Sequence, residues 1–374
     1  KQDKEHAINL YKKAIELGKM SVLRDCAVLL LENKDKKEDY ELAMSYLRKA
    51  GEHGDVLAMM DLMDEYFYGE QENLEKALYW GNEIIKDSKS IAYNYAMSIV
   101  GTIYYIQDKQ DEAFTCLRTA HLGQTKSGIL PTLHSLFLLA ECYYYGIGTY
   151  KDYSLAYKYY KECIEQDNNI GTNKSIYIYN RLAHLYENGL GVTENINQAF
   201  NYYMKAANYG DAFAQSCVAN SYFEGEGTYK DVNKAIFWWE KSAQQGHAYS
   251  CYSLGWIYAR ERYGYYNTTK AIECFNKAVE CDEDGAYTPS CYYELGMIYE
   301  YGAGGVAKSY FKAGNYYKKA AELGHDKAKE KMKEFDNKLY MEFGGKLFDD
   351  YHASRVLPGF DPNVQIKLLE NFKK

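Results

Sequence analysis

The segment LAHLYENGLGVTENINQAFNYYMKAANYGDAFAQ, residues Leu182–Gln215, contains two helical patterns separated by a glycine-rich turn. In the first pattern Ala183 precedes Tyr186 by three positions, which places both on one helical face. In the second, Ala199 and Ala206 lie seven positions apart with aromatic residues between them. Small residues at this spacing let a helix pack closely on a neighbour. The segment therefore predicts a helix–turn–helix hairpin, whose helices we call helix A and helix B.

Both patterns recur along residues 1–325, at intervals of 34 to 43 residues for helix B. The helix A copies contain Cys26, Leu62, Val100, Leu139, Leu182, Val218, Leu254 and Leu295. The helix B copies begin at Ala7, Ala43, Ala77, Ala113, Ala156, Ala199, Ala235, Ala271 and Ala313. One hairpin cannot bury its apolar face alone, so stacked hairpins are expected to share a continuous core. The pattern predicts an all-α, right-handed solenoid with a concave face.

The turns and the rarity of proline agree with this interpretation. A Gly-x-Gly sequence joins helix A to helix B at Gly146/Gly148, Gly189/Gly191, Gly225/Gly227 and Gly302/Gly304. Glycine permits the left-handed backbone that ends a helix. The chain has only 4 prolines, which suits continuous helices because an interior proline removes a helical hydrogen bond.

Residues 182–215 resemble the Sel1-like repeat, a relative of the tetratricopeptide repeat with the pattern LGxxYxxGxGVxxDxxKAxxWYxKAAxxGxxxA. The matching positions are Leu182, Ala183, Tyr186, Gly189, Gly191, Val192, Ala199, Tyr203, Lys205, Ala206, Ala207 and Gly210. The resemblance covers about residues 1–330 and implies a solenoid of about eight repeats that acts as an adaptor, without catalysis or cofactor. One bacterial subgroup pairs cysteines between the helices of each repeat. Most repeats here lack the second cysteine, so regular disulfides are not expected.

Three regions are predicted along the chain. Residues 1–325 form the solenoid, whose first repeat lacks helix A, so further sequence is expected before residue 1. Residues 326–343 carry an apolar stripe backed by Lys and Glu, as a capping helix requires. Its members are Ala328, Met332, Phe335, Leu339 and Phe343. Residues 344–374 have no repeat signature and are interpreted as an extension that folds back on the array or serves as a docking tail.

Composition and motifs exclude several classes of function. The net charge of −8 argues against nucleic-acid binding, which needs clustered Lys and Arg. No apolar run is long enough to span a membrane. Nine cysteines without a CxxC pair indicate reduced thiols and an intracellular, soluble protein, with the cytoplasm favoured and an organelle lumen or the periplasm as alternatives. No histidine pair has zinc-protease spacing and no nucleophile motif is present, so neither a metal nor a catalytic site is predicted.

Tetratricopeptide geometry, to which the resemblance points, places non-recurrent helix A residues on the concave face. The candidate partner-binding residues are Asn180, Arg181, His184, Phe213, Asn220, Tyr249, Tyr252, Trp256, Arg260 and Tyr293. Aromatic residues and arginine are enriched at protein interfaces. Asn180, Arg181 and Asn220 loosely resemble a polar clamp for a peptide C-terminus. The alternative is that these rings cover neighbouring helices in a chain with 42 tyrosines. The recurrent aromatics Tyr186, Tyr222, Tyr258, Tyr299, Trp238 and Tyr316 are expected in the core.

The preferred function is a scaffold or adaptor that binds a partner protein or peptide on the concave face. A permanent structural subunit of a large assembly is the first alternative, and a hydrolase with a site in the groove is the second. Solubility in isolation separates the first two, because a permanent subunit exposes apolar faces when expressed alone. The sequence leaves the partner and the oligomeric state open.

Overall fold

The computed structural model describes residues 2–32, 36–69, 72–122, 129, 131–166, 173–302 and 304–343, which contain eighteen α-helices and no β-strand. The helices are α1 (Gln2–Glu16), α2 (Leu23–Leu31), α3 (Lys37–Glu52), α4 (Val56–Tyr68), α5 (Leu74–Ile85), α6 (Tyr93–Ile106), α7 (Gln110–Leu122), α8 (Leu133–Tyr145), α9 (Tyr153–Gln166), α10 (Asn173–Glu187), α11 (Ile196–Asn208), α12 (Ala212–Glu224), α13 (Val232–Gln244), α14 (Ala248–Tyr258), α15 (Thr268–Cys281), α16 (Thr288–Tyr301), α17 (Tyr310–Glu322) and α18 (Asp326–Phe343). The prediction of an all-α fold is confirmed.

Each repeated pattern occupies a helix of its own. Every helix A copy lies in an even-numbered helix from α2 to α16, and every helix B copy lies in an odd-numbered helix from α1 to α17. Helix A packs against the helix B that follows it, as α6 does against α7 and α16 against α17. The hairpins inferred from sequence periodicity are therefore present.

The chain divides into two compact units, residues 1–202 and 203–374, with the division inside α11. In the first unit a continuous core runs through α2–α6 and includes Leu47, Leu62 and Ile99, each fully buried. In the second unit Tyr317 of α17 and Phe335 of α18 belong to a buried cluster that also contains Ala313.

Small residues on helix A make room for a ring on helix B. A β-carbon at Gly255 would lie 2.7 Å from the Phe275 ring, and one at Gly296 would lie 2.6 Å from the Tyr317 ring. Both rings are fully buried. In α9, α11, α13, α15 and α17 the most buried ring comes four residues after the first alanine, one position later than the expected core residues Trp238 and Tyr316. Trp238 is buried as expected, at 8% exposure. Tyr316 is in fact partly exposed, because the helix turns its neighbour toward helix A.

The recurrent helix A tyrosines are less uniform than expected. Tyr222 and Tyr258 are buried, at 8% and 7% exposure, whereas Tyr186 and Tyr299 are partly exposed. Tyr186 and Tyr299 instead stack on rings of the helix B that follows, with interplanar angles of 13° and 7°. Their rings cover the surface of the hairpin, so the core prediction is wrong for these two residues.

The Gly-x-Gly turns adopt the left-handed backbone that the sequence predicts. Gly189 and Gly191 have φ of +62° and +68°. A β-carbon at Gly191 would collide with the backbone of Tyr153 and Ser154 at the start of α9. The second glycine of this turn therefore lets one repeat approach the helix B of the repeat before it.

Helix α18 spans residues 326–343 and packs on α17. Ala328 and Phe335 are buried, and the partly buried Met332 packs against the same cluster. The side chains of Leu339 and Phe343 and the proposed tail, residues 344–374, lie outside the described part of the chain.

Candidate functional site

The ten candidate residues divide between the two units. The first unit holds three on α10, namely Asn180, Arg181 and His184. The second unit holds seven on or directly after α12, α14 and α16, namely Phe213, Asn220, Tyr249, Tyr252, Trp256, Arg260 and Tyr293. Nine are partly buried, and Phe213 is 52% exposed. None belongs to the fully buried core, so each retains surface that a partner can contact.

In the first unit Arg181 lies among three tyrosine rings. Its guanidinium carbon is 4.8 Å from the ring centre of Tyr144, 5.2 Å from Tyr145 and 4.5 Å from Tyr177. Arg181 Nε donates a hydrogen bond of 2.8 Å to the Tyr177 hydroxyl. That hydroxyl donates in turn to Glu141 Oε2 at 2.9 Å. The arginine is therefore part of an internal network.

The carboxylate at the centre of this network is almost completely buried. Glu141 is 6% exposed and also accepts a short hydrogen bond from the Tyr160 hydroxyl. Burial raises the pKa of Glu141, and the hydrogen bonds from Tyr160 and Tyr177 oppose that rise. Because Arg181 already donates to the hydroxyls of Tyr145 and Tyr177, and Tyr177 donates on to Glu141, this arginine has fewer donors left for the carboxylate of a peptide C-terminus.

His184 and Asn220 also have internal hydrogen-bond partners. The Tyr144 hydroxyl lies 2.9 Å from His184 Nδ1. In the second unit Trp239 Nε1 donates to Asn220 Oδ1 at 3.1 Å, and Trp239 is only 2% exposed. The indole N–H of the buried helix B residue Trp239 thus holds the Asn220 side chain in place on helix A.

In the second unit aromatic rings and cations gather around Trp256. Its ring centre lies 4.1 Å from the Arg260 guanidinium carbon and 5.0 Å from that of Arg262. The rings of Phe223 and Tyr263 lie 6.2 Å and 5.4 Å from it. With Lys230, whose Nζ is 5.3 Å from the Phe223 ring, these residues form what we call the Trp256 cluster: Phe223, Lys230, Trp256, Arg260, Arg262 and Tyr263.

The remaining candidates form separate ring contacts. Tyr249 and Tyr252 both meet Tyr287, at 5.4 Å and 6.1 Å between ring centres. Tyr293 stacks on His325 at 4.5 Å with an interplanar angle of 17°. The structure therefore brings Trp256 together with Arg260, and Tyr249 with Tyr252 through Tyr287.

Sequence reasoning missed four residues that the geometry makes prominent, namely Phe223, Arg262, Tyr263 and Glu294. A signal was present for two of them. Residues 261–263 read Glu-Arg-Tyr where the preceding repeats carry Gly-x-Gly. This departure from the repeat pattern at Arg262 and Tyr263 is visible in the sequence alone.

The described residues hold no group of three or more His, Cys, Asp or Glu side chains that could bind a metal ion. Within the same part of the chain, every helix is too short or too polar to cross a membrane.

A carboxylate in the first unit provides a test by pH. Asp64 of α4 accepts a hydrogen bond of 2.8 Å from the Tyr95 hydroxyl of α6, and burial raises its pKa to about 6. A raised carboxyl pKa means that the folded state holds the proton more tightly than the unfolded chain. The stability contributed by this proton is present at acidic pH and is lost as the pH rises from about 4 to about 6.

The substitution Asp64→Asn removes this titration and keeps an acceptor for Tyr95. We expect the variant to match the wild type near pH 4 and to be more stable by about 1–2 kcal/mol at pH 8, after allowance for partial solvent screening. The measurement is urea unfolding of both proteins across pH 4–8. Since all other titrating groups are shared, a difference that does not change with pH would contradict the assignment.

Comparison with known proteins agrees with the repeat pattern. The Sel1 repeat model matches residues 1–19, 28–55, 57–82, 133–168, 179–211, 212–247, 248–283 and 289–325, which is more than half of the chain. The α6–α7 hairpin lies outside these matches although it has the same helix–turn–helix form.

A solved structure shares the fold. The crystal structure of a protective antigen of uropathogenic Escherichia coli, described as displaying an SLR fold, has a TM-score of 0.66 and 24% identity. The similarity covers 90% of this chain and 68% of that chain.

A second family model, described as the N-terminal part of the domain of unknown function DUF1846, matches residues 311–374. UPF0371 proteins of Streptococcus pyogenes serotype M5 and Streptococcus uberis are each 54% identical, over 56 and 55 residues. These segments are 15% of this chain and 11% of the relatives, so the chain spans about a tenth of their length. The match includes most of α17 and all of α18.

Sel1 repeat proteins generally act as protein-interaction scaffolds, and their solenoid fold is typically non-enzymatic. The repeated hairpins, the positive-φ glycine turns and the matches along the chain lead to one conclusion. This chain belongs to the Sel1 repeat family.

Proposed function

We propose that the chain is an interaction scaffold that binds a segment of a partner protein on the helix A face of its second unit, the concave face of such a solenoid. The observation that carries this proposal is the set of partly exposed rings on α14 and α16. Tyr249, Tyr252, Trp256 and Tyr293 keep accessible surface while the helix B rings beneath them, such as Phe275 and Tyr317, are fully buried.

The chemistry of this face suits a peptide. Tyrosine and tryptophan supply large contact areas with few rotatable bonds, so binding orders them at low entropic cost. The rings are held in place by contacts such as Tyr252 with Phe275 at 6.0 Å and Trp256 with Tyr263 at 5.4 Å. A surface that is already ordered loses less entropy when a partner binds. The proposed role needs no catalytic group from this chain.

Replacement of Tyr252 and Trp256 by alanine tests the proposal. If these rings are interface hot spots, the double variant is expected to lose about 2 kcal/mol or more of partner affinity. Its stability should change little, because both side chains are partly exposed. The matched control is Phe237→Ala, which removes an aromatic ring that is 49% exposed on helix B of the same unit.

The partner is first identified by photo-crosslinking in a native lysate, with p-benzoylphenylalanine in place of Tyr252 or, as control, of Phe237. A discrete adduct is expected from the helix A position alone, and the affinity of that partner is then measured for both variants. Equal adducts from both positions would favour the permanent structural subunit. A double variant that unfolds, judged by circular dichroism, would assign both rings to the core and contradict the proposed site.

A further inference from the structure

One turn in the second unit departs from its repeat. Residues 258–271 and residues 186–199 are equal in length and both end at the first alanine of helix B. Gly189 and Gly191 of the earlier repeat correspond to Glu261 and Tyr263 in the later one. Here the backbone forms a short 3₁₀ helix, Glu261–Tyr263, closed by Gly264 at φ +79°. Because the repeat fold tolerates Gly-x-Gly at this point elsewhere, the altered sequence is not needed to build the hairpin.

The altered turn places two cations and a ring on Trp256. The Arg262 guanidinium carbon lies 4.7 Å from the Tyr263 ring centre and 5.0 Å from that of Trp256. Arg260, at the start of the turn, lies on the same indole at 4.1 Å. An arginine stacked on a ring keeps its N–H groups in the guanidinium plane, where they can bind a carboxylate through two hydrogen bonds.

The three cations of the cluster differ in whether a carboxylate already pairs with them. Arg260 donates to Glu294 at 2.9 Å, and this pair is partly buried. Arg262 is exposed, and among the residues that the structure describes it contacts rings but forms no ion pair. Lys230 is exposed beside Phe223. Of the three cations, only Arg260 is paired with a carboxylate among the residues that the structure describes.

Arg181 in the first unit differs from Arg262 in its hydrogen bonds. Arg181 also stacks on rings, but it donates to the hydroxyls of Tyr145 and Tyr177, and Tyr177 donates in turn to the buried Glu141. In the Trp256 cluster the rings nearest Arg262 are an indole and Tyr263, and neither receives a hydrogen bond from Arg262 in the described structure. Arginine and aromatic residues are therefore paired in both units. In the first unit the N–H groups of Arg181 donate to internal hydroxyls, whereas in the second unit the N–H groups of Arg262 stay available to a partner.

We propose that the Trp256 cluster binds an acidic peptide segment of the partner, with a carboxylate on Arg262 and an adjacent apolar or aromatic side chain on Trp256 and Tyr263. This inference rests on the proposed function and adds the chemistry of the partner. A nucleic acid fits less well, because three cations supply few phosphate contacts and the acidic chain as a whole repels a polyanion.

The test begins with a random dodecapeptide display library panned on the whole chain in 50 mM NaCl. The expected result is enrichment of Asp and Glu in the selected peptides, next to an aromatic or apolar residue. The best peptide and its Glu→Gln form are then synthesised and their Kd values measured by fluorescence anisotropy. On the wild type the Gln form should bind about tenfold more weakly, as for loss of one charge-assisted hydrogen-bond pair.

The substitution Arg262→Gln is expected to abolish this discrimination, so that the acidic and Gln peptides bind within about twofold of each other. The matched control is Lys241→Gln, which removes an exposed cation stacked 4.6 Å from the Phe237 ring and 4.9 Å from the Trp238 ring on helix B. The control should keep the tenfold preference. Circular dichroism shows whether each variant is folded, and Arg262 is an exposed turn residue.

Four outcomes would overturn the inference. The first is selection of neutral or basic peptides whose binding Trp256→Ala abolishes, which would leave the proposed function standing. The second is an unchanged acidic preference in Arg262→Gln. The third is tighter binding of a twelve-residue oligothymidylate than of any selected peptide, which would point to nucleic acid. A library that yields no peptide at all would contradict both this inference and the proposed site.

Discussion

Replacing Gly191 with alanine is expected to lower the free energy of unfolding by about 3 kcal/mol or more. Part of this cost, about 1–2 kcal/mol, comes from placing a β-carbon on a left-handed residue, since φ at Gly191 is +68°. The rest comes from the collision with the backbone of Tyr153 and Ser154. Backbone cannot move aside as a side chain can, so the turn must separate from α9. The hydrogen bond from Ser154 Oγ to the Gly191 carbonyl, 3.0 Å long, would be lost with it.

The other glycine of the same turn supplies a matched control. Gly189 has φ +62°, so Gly189→Ala carries the same backbone cost, but its nearest neighbour is the Glu194 side chain at 3.3 Å. Amide hydrogen exchange should show lost protection in α9 and α10 for Gly191→Ala and a smaller loss for Gly189→Ala. Equal losses in the two variants would mean that the contact between the turn and α9 contributes nothing beyond backbone strain.

Replacing Phe335 with alanine is expected to destabilise the second unit by about 3–5 kcal/mol, the usual cost of removing a buried phenylalanine ring. Phe335 is 1% exposed and meets the rings of Tyr310 and Tyr317 at 5.6 Å and 6.0 Å. Its helix also brings Lys331 within 3.3 Å of Glu300, a carboxylate that is 3% exposed and accepts a hydrogen bond from Tyr317. Loosening α18 therefore exposes a ring and weakens the pairing of a buried charge.

This prediction tests whether residues 326–343 act as the proposed cap. Lys333→Ala, on the exposed side of the same helix, is the control and should change stability by no more than about 0.5 kcal/mol. Limited proteolysis should cut α16 and α17 of Phe335→Ala well below the temperature at which the control is cut. If both variants resist equally, α18 is an appendage and the end of the array is stable without it.

The positions of the helices could be predicted from the sequence because they depend on residues that are close together in the chain. Alanine begins the pattern in all nine helix B copies, and a small residue follows Leu or Val in six of the eight helix A copies. All seventeen copies fall in separate helices. A hairpin packs mainly on its neighbours, so a local pattern also determines which faces meet. The glycine turns were equally predictable, since positive φ is readily open only to glycine at such a point.

The chemistry of the candidate site required the tertiary structure. The sequence pointed to Arg181 and Trp256 as exceptions to the repeat and showed an altered turn at residues 261–263, but it did not show which side chains contact either residue. Glu141 lies forty positions before Arg181 and neutralises it through Tyr177, whereas Arg262 reaches Trp256 through a turn whose backbone departs from the repeat. Helical periodicity is set within a few residues of chain. Whether the N–H groups of an arginine already have acceptors depends on other side chains. Only the packing of successive hairpins brings those side chains within a few ångströms.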